Sequence, residues 1–389
     1  MPRLVILEPP SSPAWLPFSA SRPISEVRAG AWLIRERWEA IADSEADIIF
    51  AEAHLHAFTE EGVPPVQAPG DVEGPAIVGL SSFAPTGVVP SLGDEPAALV
   101  NDDSVVGWWV PVGVTWHPGD EPAPRVEIDG IQLHGAYDLV TALEHFLVAD
   151  VADFTSEGGD ELPHGSIVIG DPHDVVILGA NVEPGVTFDV RRGAVVIEQH
   201  VYVKGGTRFE GPVYVGPGSE ILGGQISWTA IGQRCKVRGE VTHTVFVGYG
   251  NKAHDGFVGH SVLGRWVNLG ADTVTSNLKN TYGVVRLDVA GSRIDTERQM
   301  LGSLIGDHAK TAIGTLLSTG TVVCVGANVF DAARPPKYVP PFAWGTGGAV
   351  MKKEGFLEVV ERVMPRRQVP VTDELRTALT AMYDHSVQA

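Results

Sequence analysis

Apolar positions change their period twice along the chain. Up to about residue 155, short apolar runs alternate with stretches in which apolar residues recur every three or four positions. The runs Leu4–Leu7, Ile48-Ile49-Phe50 and Ala76-Ile77-Val78 predict buried strands. The spacing of Val27, Ala31, Ile34, Trp38 and Ile41 predicts a helix with Ser25 as its N-cap. Tyr137 to Val151 repeats helical spacing through Val140, Leu143 and Leu147, and Trp108, Trp109 and Trp116 are expected in the core. The acidic, glycine-rich stretch from Asp153 to Pro163 reads as a linker.

From about residue 165 the period becomes six. One register runs through Val195, Val201, Thr207 and Val213, with Gly205, Gly206, Gly211, Gly216 and Gly218 in the turns between. It returns through Phe257, Leu263 and Leu269, and again through Ile313, Thr319 and Val325. A six-residue period fits neither a helix nor a hairpin meander. It predicts a hexapeptide-repeat, left-handed parallel β-helix, in which three short strands make a coil of roughly eighteen residues. Breaks in the register at Gly248–Gly256 and Asn277–Gly283 predict functional loops. After about 345 the pattern turns helical: Phe356, Leu357, Val360 and Val363 form a stripe, and Thr372 caps a last helix through Leu375, Leu379 and Met382. These helices are expected over the open end of the coil. The expected organisation is an α/β domain over 1–155, the β-helix over 156–345 and a helical cap over 346–389.

Composition narrows the function. A net charge of −20 over 389 residues argues against a nucleic-acid partner but leaves room for a small anionic ligand held by local cations. No apolar run approaches the roughly 18 residues that a membrane span needs, and the run at Leu4–Leu7 is too short for a signal peptide. Only Cys235 and Cys324 occur, far apart, so a disulfide framework is not expected and a reducing cytoplasm fits. Each cysteine reads as a small buried apolar residue rather than a nucleophile.

Candidate chemistry gathers at the first break in the coil. Lys252 and His254 lie beside the register, and the amides Asn268 and Asn277 follow. Acylation of an amine needs a neutral imidazole to accept its proton and a donor for the oxyanion formed on the acyl carbonyl. His254 fits the first role, and Asn268 or a backbone N–H near Gly270 fits the second. His243, His254 and His260 also admit a zinc hydratase reading. No further ligand pattern accompanies them, and no resident metal is expected.

Lys252 to Asn277 resembles the acetyltransferase half of the bifunctional GlmU family, which makes UDP-N-acetylglucosamine. That family has a lysine and a histidine, an aromatic, a glycine-flanked asparagine and an alanine, then a second asparagine. The resemblance implies His254 as general base, Phe257 and Asn268 against the sugar, and Ala271, Asn277, Asp307 and Val325 as acetyl-CoA contacts. Longer stretches, Leu16–Ile24, Ile34–Glu39, Gly248–Phe257, Ser276–Asn280, Gly306–Lys310 and Pro341–Gly345, are similar to a shorter branch of sugar nucleotidyltransferase-like proteins. The resemblance implies a sugar phosphate or nucleotide sugar as substrate, a homotrimer with shared sites, and Mg²⁺ only if the N-terminal domain is active.

The sequence departs from that pattern in three places. Glu8-Pro9-Pro10-Ser11-Ser12-Pro13 stands where the family has a glycine-rich phosphate loop, and prolines remove the N–H groups that cradle phosphate. Arg22 and Arg28 keep the surrounding rhythm, and Asp102-Asp103 is the available Mg²⁺ candidate. Thr242 falls at a phosphate-contacting lysine and Leu278 at a tyrosine, so Lys252, Lys279 or a nearby arginine would hold the substrate phosphate. The expected activity is acyl-CoA-dependent N-acylation of an amino-sugar phosphate or nucleotide sugar. The alternatives are sugar-1-phosphate nucleotidyl transfer, or a non-catalytic β-helix that binds a sugar nucleotide.

Overall fold

A computed structural model describes residues 2–87, 92–120, 124–156 and 158–388. The N-terminal domain is built on a seven-stranded sheet in the spatial order 125–127, 97–101, 104–110, 76–80, 3–7, 46–50, 66–67. The expected strands Arg3–Leu7, Ala46–Phe50 and Ala76–Leu80 form its parallel centre. An antiparallel hairpin, Ala97–Asn101 with Ser104–Val110, extends it on one side. Trp116 is buried, whereas Trp108 and Trp109 are half-buried.

Helix α1 covers only Ile34–Ala42. Ser25 does not cap it: its hydroxyl donates to Glu8 Oε1 at 2.7 Å, and residues 28–33 form a tight two-stranded turn instead. The apolar spacing from Val27 onward reflects burial of that turn rather than a helix. Helix α2, Leu139–Thr155, runs into the expected linker, and Phe154 in its last turn stacks on Trp32 with ring centroids 5.4 Å apart. Glu157, within that stretch, lies outside the described residues.

The second domain is a parallel β-helix with three ladders of stacked strands. One ladder runs through Val176, Val196, Tyr214, Ala230, Val245, Val262, Leu304, Val322 and Tyr338, each paired with the next. Side chains alternate across a strand, so this ladder faces outward while its neighbours Ile177, Ile197, Val215, Ile231, Phe246, Leu263, Ile305 and Val323 fill the prism. The outward set joins the core of the N-terminal domain, together with Leu143, Leu147 and Val151 of α2. One face of the β-helix is thus apolar on both sides, and α2 lies along it.

The expected six-residue register holds at Val195, Val201, Thr207 and Val213, all buried. It fails at Ile313, which is 77% exposed. There the inward residues are Leu317, Val323 and Val329. Val325 is also buried, but from outside, beside Phe342; an apolar residue at a coil corner can be covered from either direction. Between Leu263 and Ile305 the chain leaves the coil for an antiparallel hairpin, Arg286–Val289 with Ser292–Asp295. Val285, Leu287 and Val289 bury it in the same core as the N-terminal domain.

Helices α3, Lys353–Val363, and α4, Asp373–Gln388, do not close the open end. They pack along one edge of the prism, on Tyr249, Trp266, Val325 and Phe342. Large aromatics stacked at successive corners would otherwise face water, and the helices remove them from it. Thr372 Oγ1 accepts from the Leu375 N–H at 3.2 Å, as expected of a cap.

Candidate functional site

The loop after Lys252 is fixed from below. Lys252 is 2% exposed, and its Nζ donates to the carbonyls of Arg238 at 2.6 Å and His254 at 2.8 Å. Burial pulls this ammonium down to about 8. This placement speaks against the expected role of Lys252 in holding phosphate: it is buried, two of its three N–H groups are committed to backbone carbonyls, and it acts as a strut. Asp255 adds an ion pair to Arg238 at 3.0 Å, and its carbonyl accepts from the Asp272 N–H at 3.1 Å. These ties leave His254 exposed on the loop.

Asn268 follows on the adjacent strand, in register with Asn251. Asn251 Nδ2 donates to Asn268 Oδ1 at 2.7 Å, and Arg367 Nη2 reaches Asn251 Oδ1 at 3.4 Å. The Asn268 carbonyl is thereby engaged, and its NH₂ group is the end left to donate. That is the polarity an oxyanion requires. Ala271 sits one turn beyond, next to the same loop, and its carbonyl accepts from the Gly314 N–H at 2.8 Å.

The remaining expected residues divide between two other edges of the prism. Phe257 folds over Gly259, where an added Cβ would stand 2.5 Å from the ring and 3.0 Å from Asn277 Nδ2. Asn277 Nδ2 also lies 2.9 Å from His260 Nδ1. Lys279 donates to the Val284 carbonyl, and with Arg334 and Lys337 it borders a groove of about 440 Å³. Three cations around one groove favour an anion.

Asp307 and Val325 are on the opposite edge. Asp307 is 3% exposed; it accepts from Arg22 Nε at 2.8 Å and from the Arg265 N–H at 2.7 Å. Val325 is packed beneath the C-terminal helices. Val325 presents no surface to acetyl-CoA, and the Asp307 carboxylate is engaged by Arg22 and Arg265 at the wall of a cavity. Arg22, Asp307, Arg265 and Glu60 instead form an ion-pair cluster between the two domains. They border a cavity of about 390 Å³ whose other walls include Leu55, Phe58, Trp266 and Leu379.

In the N-terminal domain, Glu8 takes the place of a phosphate cradle. Its carboxylate accepts from the N–H groups of Ile24 at 2.6 Å and Ser25 at 3.1 Å, and burial raises its pKa above the usual range. Arg28 is turned to the carbonyls of Ala31 and Val247, and Arg22 to Glu60 and Asp307, so neither lies free for a phosphate. Asp102 and Asp103 form the exposed tip of a hairpin, with left-handed φ values of 47° and 67°.

Residues 4–158 match the family model for sugar nucleotidyl transferase. The chain is 34% identical over 161 residues to a bifunctional sugar-1-phosphate nucleotidylyltransferase/acetyltransferase of Sulfurisphaera tokodaii. It is 31% identical over 169 residues to a bifunctional GlmU protein of Methanococcus vannielii. Over these segments the chain is similar to GlmU-like proteins. The matched segments cover 39% and 40% of this chain, and 38% and 37% of those two relatives. The chain thus joins a region that matches the sugar nucleotidyl transferase model to a parallel β-helix. Among the described residues, no helix is long and apolar enough to cross a membrane.

Sequence reasoning named two members of one further cluster, His243 and His260, and missed the third, Glu144. His243 and His260 stack with centroids 4.5 Å apart, and the helix α2 residue Glu144 reaches both. His254, the third member of the histidine reading, is not among them. The signal was present in the 17-residue spacing of His243 and His260, one coil of the β-helix.

Proposed function

We propose that the β-helix transfers an acyl group from acetyl-CoA, or another acyl-CoA, to the amine of an amino-sugar phosphate or nucleotide sugar. The observation that carries this reading is the exposed His254, held on a loop braced by Lys252, with the oriented Asn268 amide on the adjoining strand. His254 accepts the amine proton as nitrogen attacks the thioester carbonyl. The Asn268 NH₂ stabilises the oxyanion, since the Gly270 N–H is already donated to Thr311, and CoA leaves as the thiol after proton return. No acyl-enzyme forms, in keeping with Cys235 and Cys324, both buried with thiols pushed up to about 11 and 12 by desolvation. The acyl donor runs past Ala271 towards Asn277, and the groove bordered by Lys279, Arg334 and Lys337 takes phosphate.

Within one chain His254 and Asn277 lie on different edges of the prism, and no described side chain hydrogen-bonds the His254 ring. Both facts support a site completed by a neighbouring copy, in a homotrimer. The test is thioester release from acetyl-CoA against a panel of amino-sugar phosphates. His254→Ala should lower turnover by about 10²- to 10⁴-fold with the fold intact. Undiminished turnover in that variant would remove His254 as the base.

A second reading, sugar-1-phosphate nucleotidyl transfer with Mg²⁺, is favoured by the family match over 4–158. The carboxylate of Glu8 in place of a phosphate cradle weighs against it, and we infer that this activity is weak or absent.

A further inference from the structure

We propose that Glu144, His243 and His260 form a divalent-cation site of the Zn²⁺ class that fastens helix α2 to the β-helix. The site arises from the coil geometry. Thr242 pairs with Gly259 in the parallel ladder, so the residues that follow them, His243 and His260, occupy the same corner of successive coils. Both adopt left-handed φ values, 46° and 49°, which turn the two side chains in the same direction. Their rings lie within 5° of parallel, and Trp228, one coil earlier, stacks on the far side of His243 at 5.5 Å. Stacked corners are common in a solenoid and need no ligand by themselves.

The nitrogens distinguish this corner from a plain stack. His243 Nδ1 lies 2.8 Å from Thr242 Oγ1, and His260 Nδ1 lies 2.9 Å from the Asn277 amide. Both inner nitrogens therefore have a polar partner. Both Nε2 atoms are directed at one carboxylate oxygen of Glu144, each at 3.9 Å. That is too long for a hydrogen bond, but the three donor atoms all lie within 4.8 Å of one another. Zinc bonds of about 2.0–2.2 Å put tetrahedral ligands roughly 3.4 Å apart. The gap closes by a rotation of Glu144, exposed at the surface of α2, together with a tilt of the two rings that brings their Nε2 lone pairs onto one point. His243 and Glu144 keep one side of the cluster open to water, as a fourth ligand requires.

The electrostatics agree with the geometry. Burial lowers the pKa of both imidazoles, so they are neutral at pH 7, the form that binds metal. Burial raises that of Glu144, against a smaller opposing pull from Arg298. Metal binding at Nε2 requires the proton on Nδ1. Thr242 Oγ1 accepts it directly from His243, and Asn277 accepts it from His260 once its amide presents Oδ1 rather than Nδ2. Thr242 and Asn277 would then be the partners that orient the two ligands. This gives Thr242, anomalous against the family pattern, a role of its own. The proposal does not depend on the acyl-transfer reading, although Asn277 takes part in both.

The probe is Zn²⁺ alone, titrated into the full chain after dialysis against a chelator, in competition with a chromophoric zinc indicator. Wild type should bind one equivalent per chain, and its melting temperature should rise with free Zn²⁺. His243→Ala with His260→Ala should abolish this binding. Glu144→Gln, a surface change that leaves the fold alone, should weaken it by tenfold or more. His254→Ala should leave it unchanged. No uptake by wild type at micromolar Zn²⁺, or equal uptake by the double variant, overturns the site. Undiminished affinity in Glu144→Gln overturns the bridge to α2.

Discussion

At the scale of residues, the charged groups of this protein divide into those that face water and those that hold the two domains together. Asp307 belongs to the second kind. It is buried with Arg22, whose guanidinium also pairs with Glu60 at 2.9 Å. Removing one member of such a cluster leaves a charge without a partner in a poorly solvated place, which typically costs about 3–5 kcal/mol. Asp307→Ala should therefore lose stability on that order in urea titration. An unchanged unfolding midpoint would show that the cluster is solvated. Lys252 follows the same logic on a smaller scale: its ammonium ties two carbonyls, and its loss should loosen the loop that carries His254.

At the scale of elements, the C-terminal helices depend on an aromatic edge. Trp266, His308 and Phe356 pack in sequence, with His308 edge-on to Phe356 at 5.4 Å. His308 is buried, and burial, then Lys310, Arg22 and Arg265, hold its pKa well below the ordinary 6.5. The unfolded chain protonates this histidine as pH falls through about 6.5, while the folded chain does not. Stability carried by neutral His308 is therefore full above that pH and declines below it. His308→Phe, which keeps the ring between Trp266 and Phe356, should flatten the fall in melting temperature between about pH 7 and 5 relative to wild type. Equal slopes would mean that other groups carry the acid sensitivity. The edge also explains why helix α3 was legible in sequence but its docking was not: the stripe Phe356 and Val360 shows what must be buried, not against what.

For the whole molecule, the decisive contact is the outward apolar ladder of the β-helix against α2. It joins the domains through a continuous core rather than a flexible linker. The site residues on different edges of one prism lead to a definite expectation of mass. Light scattering at micromolar concentration should give three times the 41.4 kDa chain mass. A monomer would remove the neighbouring copy on which the proposed acyl-transfer site depends. With a sugar 1-phosphate, UTP and Mg²⁺, pyrophosphate release should be weak or absent, because Glu8 occupies the N–H groups next to the first strand. Robust release would restore the nucleotidyl-transfer reading.

The sequence by itself determined the period of six, the strand-and-helix texture of the first 155 residues, the last two helices and the motif from Lys252 to Asn277. Each follows from local spacing, which is set by backbone geometry before any long-range contact. The runs Val175-Val176-Ile177, Val195-Val196-Ile197 and Val213-Tyr214-Val215 are apolar throughout because that face of the prism is buried on both sides. What covers that face was not in the runs. Only the tertiary structure decided that α2 lies on it, that Asp307 and Val325 are enclosed, that Ile313 points outward, and that Glu144 meets two histidines about a hundred residues away. These depend on which element reaches a corner first, and a six-residue repeat treats all corners alike.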